Sequence, residues 1–167
     1  MDVNVRYQRD IYRLRGAELL EPEIDAGQPA RIRLILVPFA GPEVSHIVSV
    51  RLPVHLGGTR VTLRISPGYL EVRDKANVEN LSDLIHNLAD GTYPPKSLVI
   101  AYEGGAAVTY RGHVARDLPP GALDVLQART SSVAPAAMRS ELRHVERLQK
   151  YVIGTDQVTV KVRPVLR

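Results

Sequence analysis

Apolar and polar residues alternate along this chain in short segments, and most of these segments stop at a proline or a glycine. Arg31–Pro38, Ser45–Leu52, Thr59–Ser66, Tyr69–Arg73, Leu98–Tyr102, Ala107–Tyr110 and Gln157–Val162 follow the two-residue period of strands. Ile32, Leu34 and Leu36 should face a core. Ile35 and Val37, on the opposite parity, call for cover on a second face and place that strand centrally. Ile47, Val48 and Val50 are the apolar positions of the next strand. Val61, Leu63 and Ile65 alternate with Arg60, Thr62 and Arg64, and Val158, Val160 and Val162 repeat the pattern near the end.

The connections are read from their turn residues. Ser66-Pro67-Gly68-Tyr69 has the proline and glycine of a type II turn and predicts a hairpin back through Leu70 and Val72. Glu103-Gly104-Gly105 predicts a second hairpin, between 98–102 and 106–110. An entry segment over 2–14 places Val3, Val5 and Tyr7 on one side, with a bulge near Arg9-Asp10 before Tyr12 and Leu14. Leu19–Ile24 reads as a short strand, closed by the turn 25–29. Leu81, Leu84, Ile85 and Leu88 fit a short amphipathic helix that plugs an open end of the sheet. A second short helix follows Pro119-Pro120-Gly121 over 122–129. From Ala136 to Val152 helix and strand both fit, because Leu142, Val145, Leu148 and Val152 suit a helix face while Tyr151-Val152-Ile153 favours a strand. The fold these elements predict is mainly β: an immunoglobulin-like or related antiparallel β-sandwich with two or three short helices in its connections. Residues 1–167 read as one domain, with 130–135 the most linker-like point.

Composition narrows the function by exclusion. A chain of 167 residues that is 44% hydrophobic is sufficient for a core, and no uninterrupted apolar run is long enough to cross a membrane as a helix. The absence of cysteine excludes disulfides, thiolate metal sites and thiol nucleophiles. The net charge is +4, and 18 of the 22 basic residues are arginine, but they are spread along the chain without a dense run. With only 5% aromatic residues there are few stacking platforms, so nucleic acid is not expected as a partner.

Candidate chemistry is sparse. The histidines, His46, His55, His86, His113 and His144, form no paired spacing on a strand or helix, so no metal site is expected. There is no nucleophile elbow, and Ser45 and His46 are strand neighbours pointing to opposite faces. Asp83 and Asp90, like Glu21 and Glu23, read as solvated surface charge. Gly57-Gly58 and Gly104-Gly105 lead into strands rather than helices, which makes them turn glycines and not phosphate cradles. No catalytic residue, cofactor or metal is therefore assigned. What remains is a contact surface, for which Tyr93, Tyr102, Tyr110 and His113 are the candidates.

One wider pattern stands out. Leu14-Arg15-Gly16, then Glu21-Pro22-Glu23-Ile24-Asp25-Ala26-Gly27, lead into 32–39. Gly41-Pro42-Glu43, Leu52-Pro53, Gly57-Gly58 and Ser66-Pro67-Gly68 follow. Later come Leu118-Pro119-Pro120-Gly121-Ala122, Tyr151-Val152-Ile153-Gly154 and the last valine-rich strand. Over roughly 12–165 this resembles the carboxy-terminal, non-catalytic β region behind exported bacterial serine peptidases of the sporulation-protease IVB type; 135–150 fits it least. The resemblance implies an envelope or secreted location and an upstream partner domain, and it carries over no catalytic residue. A strand that begins by Val3 also suggests a piece of a longer chain. The resulting expectation is a non-enzymatic accessory module that binds a protein partner or positions a neighbouring domain. It would be periplasmic or extracellular if part of an exported protein, and cytoplasmic otherwise. The alternatives are a sandwich binding a small molecule or glycan, in a pocket holding the tyrosines and His113, and a hydrolase whose site assembles across the fold.

Overall fold

The computed structural model describes residues 10–73, 81, 84–85, 91–110, 113–115 and 136–164; for 106, 109–110, 113–115 and 136–140 it describes the backbone. The strands are β1 (Ile11–Leu19), β2 (Glu23–Asp25), β3 (Pro29–Pro38), β4 (Val44–Arg51), β5 (Arg60–Pro67), β6 (Ser97–Tyr110), β7 (His113–Ala115), β8 (Ala136–Arg147), β9 (Tyr151–Ile153) and β10 (Asp156–Arg163). The protein is mainly β, with two sheets in a sandwich-like arrangement. The first has the order β4-β3-β1-β9. The second runs β2-β10-β5-β6-β7, with β8 along the other edge of β6. Most pairs are antiparallel, while β1 with β9 and β2 with β10 are parallel.

Strand parity builds the core. Ile32, Leu34 and Leu36 of β3 meet Val48 and Val50 of β4 from one sheet, and Leu63, Ile65, Leu98, Ile100, Val160 and Val162 face them from the other. Ile32, Leu34, Leu63 and Ile65 are completely buried. Each such aliphatic side chain contributes about 1.5–3 kcal/mol by leaving water. The flanks are tied by polar contacts. Ala17, just past a bulge between Leu14 and Gly16, donates its N–H to the Asp156 carboxylate at 2.6 Å. On another seam the His46 ring lies 3.0 Å from one oxygen of Glu146, and the His144 ring lies 3.6 Å from the other.

Several sequence expectations change. The hairpin expected at Ser66–Tyr69 does not form. β5 continues through Pro67, paired with Leu98, and Gly68–Leu70 is a single 3-10 turn. Tyr69–Arg73 is not a strand; it retains one bridge, Val72 with Thr92. The glycine is demanded by close packing rather than by turn geometry. A Cβ on Gly68 would come within 2.4 Å of the Pro94 carbonyl oxygen and the Ser97 hydroxyl. The hairpin expected at Glu103-Gly104-Gly105 is also absent, because β8 pairs with β6 along almost its whole length and keeps the chain straight. The two glycines form a bulge instead: Gly105 has φ +105°, and a Cβ on Gly104 would lie 2.4 Å from Leu142. The same pairing makes 136–147 the strand β8, and pairing with β1 makes 151–153 the strand β9, rather than helix. β1 carries a bulge at Leu14/Gly16, the bulge expected near Arg9-Asp10 falls outside the described residues at Arg9, and the strand expected over Leu19–Ile24 is the shorter β2.

Leu81, Leu84 and Ile85 are helical as expected. They are 71%, 42% and 59% exposed, so this apolar face does not plug the sandwich, whose own strands already fill the core. Leu88, the expected helix at 122–129, residues 2–9, His86, Asp83, Asp90 and 130–135 lie outside the described residues. No described helix is long and apolar enough to cross a membrane.

Candidate interaction surface

The tyrosines of the expected patch are distributed to different parts of the molecule. Tyr102 is only 6% exposed and faces the core, where its hydroxyl donates to the Arg51 carbonyl at 3.2 Å. Tyr93 belongs to the segment before β6, with the Arg73 guanidinium 5.1 Å from its ring. Tyr110 and His113 pair in register at the end of the β6–β7 ladder. Eight residues of extended chain separate Tyr110 from Tyr102, about 26 Å. Tyr102 is therefore unavailable to a partner, and it shares no surface with Tyr93.

The outer face of the second sheet is covered where it is apolar. Val99 and Ala101 of β6 point away from the core yet are completely buried. Beside them, Ser66 donates to Glu71 at 2.6 Å, and Arg143 reaches Glu141 at 3.0 Å and Glu71 at 3.8 Å. The chain around Gly68–Arg73 and Gly91–Pro94 thus closes over β5 and β6 with a part-buried ion-pair network. Where this cover ends, the face is polar. Thr62 and Thr159 share a 3.1 Å hydroxyl contact, and Lys161 holds Glu23 at 2.8 Å. The hydrogen bond and charge of Lys161 lower the Glu23 carboxyl from its usual value of 4.5.

The outer face of the first sheet is different. Arg13 stands opposite Val37 on β3 and Ile153 on β9, and Ile11 stands opposite Tyr151. Ile11, Ile47, Tyr151 and Ile153 are 41–53% exposed, and Phe39, just beyond β3, is 79% exposed. Ile35 and Val37 are only half-buried. The second layer expected over them is not seen among the described residues. Charge on these strands is one-sided: Arg13, Arg15, Arg31, Arg33 and Arg51 against Glu18. Arg15 is paired with Glu43, Arg31 with Glu21, and Arg33 with Glu18 at 3.7 Å. Arg13 and Arg51 are exposed and have no ion-pair partner among the described residues.

The margin of this sheet is also open. β4 pairs with β3 on one side and with no described strand on the other. Its eight residues hold no lysine, proline or bulge, the usual devices that blunt an edge. By contrast β8, an edge of the second sheet, is dense with charge through Arg139, Glu141, Arg143, Glu146 and Arg147.

Two grooves offer little to a ligand. One, of about 440 Å³, is lined by Arg64, Ile65, Ser66, Glu71, Thr155, Asp156 and Gln157. Its Ser66, Glu71 and Asp156 are already engaged with one another or with backbone N–H groups. The other, of about 310 Å³, lies over Thr59–Thr62, Glu103 and Gly105. Neither lining includes a tyrosine or His113. No group of described histidines and acids is arranged to hold a metal ion. Glu21 and Glu23, which the sequence suggested as surface charge, sit in exposed ion pairs. The sequence reading missed Ile11, Arg13 and Ile153. The signal for an apolar outer face was present at Ile47-Val48, because adjacent strand residues must face opposite sides. No family model, no curated protein and no solved structure matches the chain.

Proposed function

We propose that this chain is a non-enzymatic β-sandwich accessory module. It holds a protein partner, or a neighbouring domain of a longer chain, against the outer face of its first sheet. One observation carries the reading: an exposed apolar face bordered by an unblunted edge strand. Soluble domains seldom leave contiguous apolar surface in water unless something covers it. An open edge adds main-chain donors and acceptors for strand pairing. The resemblance to the region behind sporulation-protease IVB-type peptidases supports this role and, with it, an envelope location beside a peptidase domain.

The test is site-specific photo-cross-linking in cells that produce the chain. A cross-linkable residue is placed at Ile47 or Ile153 on the first sheet, and at Thr62 or Thr159 on the second. Protein adducts at the first pair and not at the second support the reading. Equal labelling at both pairs, or none at Ile47 and Ile153, overturns it.

A further inference from the structure

The open face has an anchor for one particular chemistry. Three of its arginines already hold a glutamate from this chain: Arg15 has Glu43, Arg31 has Glu21 and Arg33 has Glu18. Arg13 has none among the described residues, although it lies between β3 and β9 on this face. Its cross-strand neighbours are apolar on both sides, Val37 and Ile153, about 5 Å away backbone to backbone. Ile11 lies two residues along the same strand, with Tyr151 beside it. The other arginine without a partner, Arg51, is eight residues away along the register of β3, about 26 Å, at the far end of β4.

Resting on the reading above, we infer that Arg13 is the specificity point of this surface. It receives a carboxylate that the partner protein presents between apolar side chains. In water an exposed arginine gains little from an ion pair. Docking changes that balance, because Ile11, Val37 and Ile153 exclude solvent around the guanidinium and the attraction strengthens as water leaves. The guanidinium fork matches a carboxylate in a bidentate geometry. A polyanion suits this surface less well. Nucleic acid needs a track of free cations and stacking faces, whereas here three of the five arginines are already neutralised and the flanking side chains are aliphatic.

The test uses the full chain, ¹⁵N-labelled, and the acetylated, amidated pentapeptide Ser-Leu-Glu-Leu-Ser. Amide shifts should map to β1, β3 and β9. Replacing the peptide glutamate by glutamine should weaken binding at least fivefold, and so should Arg13→Gln in the protein. Arg15→Gln, whose guanidinium already has Glu43, should change it less than twofold. Arg13→Lys should recover part of the loss. The melting curve of Arg13→Gln should match the parent, which separates lost binding from lost fold. Three results overturn the carboxylate assignment: equal binding of the glutamine peptide, no binding at millimolar peptide, or binding that ignores Arg13. An oligothymidylate or an anionic phosphatidylserine vesicle that binds through Arg13 more tightly than the peptide overturns it too. Dimerisation of the chain through this face overturns it in favour of a second copy. Any of these outcomes is compatible with cross-linking at Ile47 and Ile153, so the inference can fail while the broader reading stands.

Discussion

The two outer faces of this sandwich are made of the same strand type and end differently. On the second sheet, apolar Val99 and Ala101 are buried beside the Glu71–Arg143 network, its strands present threonine, lysine, arginine and glutamine to water, and the exposed apolar groups on that side, Tyr69, Leu70 and Val72, belong to the connection and not to the strands. On the first sheet, Ile11, Ile47, Tyr151 and Ile153 reach water with arginines between them. A long connection made the difference. Within the described part of the connection between β5 and β6, Glu71 reaches back to Ser66 and Arg143 of its own sheet, and among the described residues no segment covers the first sheet in this way. A sandwich fills its core from two inner faces and leaves two outer faces to be managed separately. The face the chain leaves bare is the one to suspect of a partner.

The comparison is open to direct attack, most sharply at the cover itself. Gly68→Val forces a side chain into the Pro94 carbonyl and the Ser97 hydroxyl, 2.4 Å from the nearest Cβ position. Overpacking of this kind should cost about 3 kcal/mol or more, read as a fall in the urea midpoint. A loss below about 1 kcal/mol would mean that the cover is loose and the contrast between faces is overstated.

A matched pair of truncations sharpens the contrast at intermediate size. Val99→Ala on the covered face should destabilise by about 2 kcal/mol, combining lost burial with a residual cavity. Ile153→Ala, on the bare face at 45% exposure, should stay within about 0.5 kcal/mol although it removes more atoms. If the isolated chain loses more from Ile153→Ala than from Val99→Ala, the first sheet's face is contributing to this chain's own stability and is not waiting for a partner.

The smallest effect concerns the polar margin of the second sheet. Lys161 depresses the Glu23 carboxyl below 4.5, so its ionised form is favoured in the folded state. The contribution is present above the usual glutamate value and fades as pH falls through the lowered one. Glu23 is exposed, so the stability change should be slight, and carboxyl NMR titration is the more sensitive readout. Lys161→Gln should return the Glu23 midpoint towards 4.5. An unchanged midpoint would show that Lys161 does not bear on Glu23 in solution.

Much of this architecture was legible locally. The parity of β3, β5 and β10 was written in Ile32–Leu34–Leu36, Val61–Leu63–Ile65 and Val158–Val160–Val162, because a strand's two faces follow from residue spacing alone. The absence of thiols and of paired histidine spacings also needed no fold. The interaction surface was only half legible. Ile47-Val48 announced an apolar outer face, but Arg13 looked like any scattered arginine until β9 paired beside it and placed Ile153 at its side.

Long-range pairing decided the rest. Gly104-Gly105 has the composition of a turn, and β8, more than thirty residues later, turned it into a bulge in a continuous strand. The stretch 136–147 has helical spacing, and the hydrogen-bonding edge of β6 made it β8. Tyr102 looked like a surface contact, and its register opposite Leu142 carried it into the core. Residue spacing dictates which side chains share a face, since that follows from backbone geometry one residue at a time. Whether a face is buried, paired or left in water depends on segments far away in the chain, and those contacts exist only once the whole chain has folded.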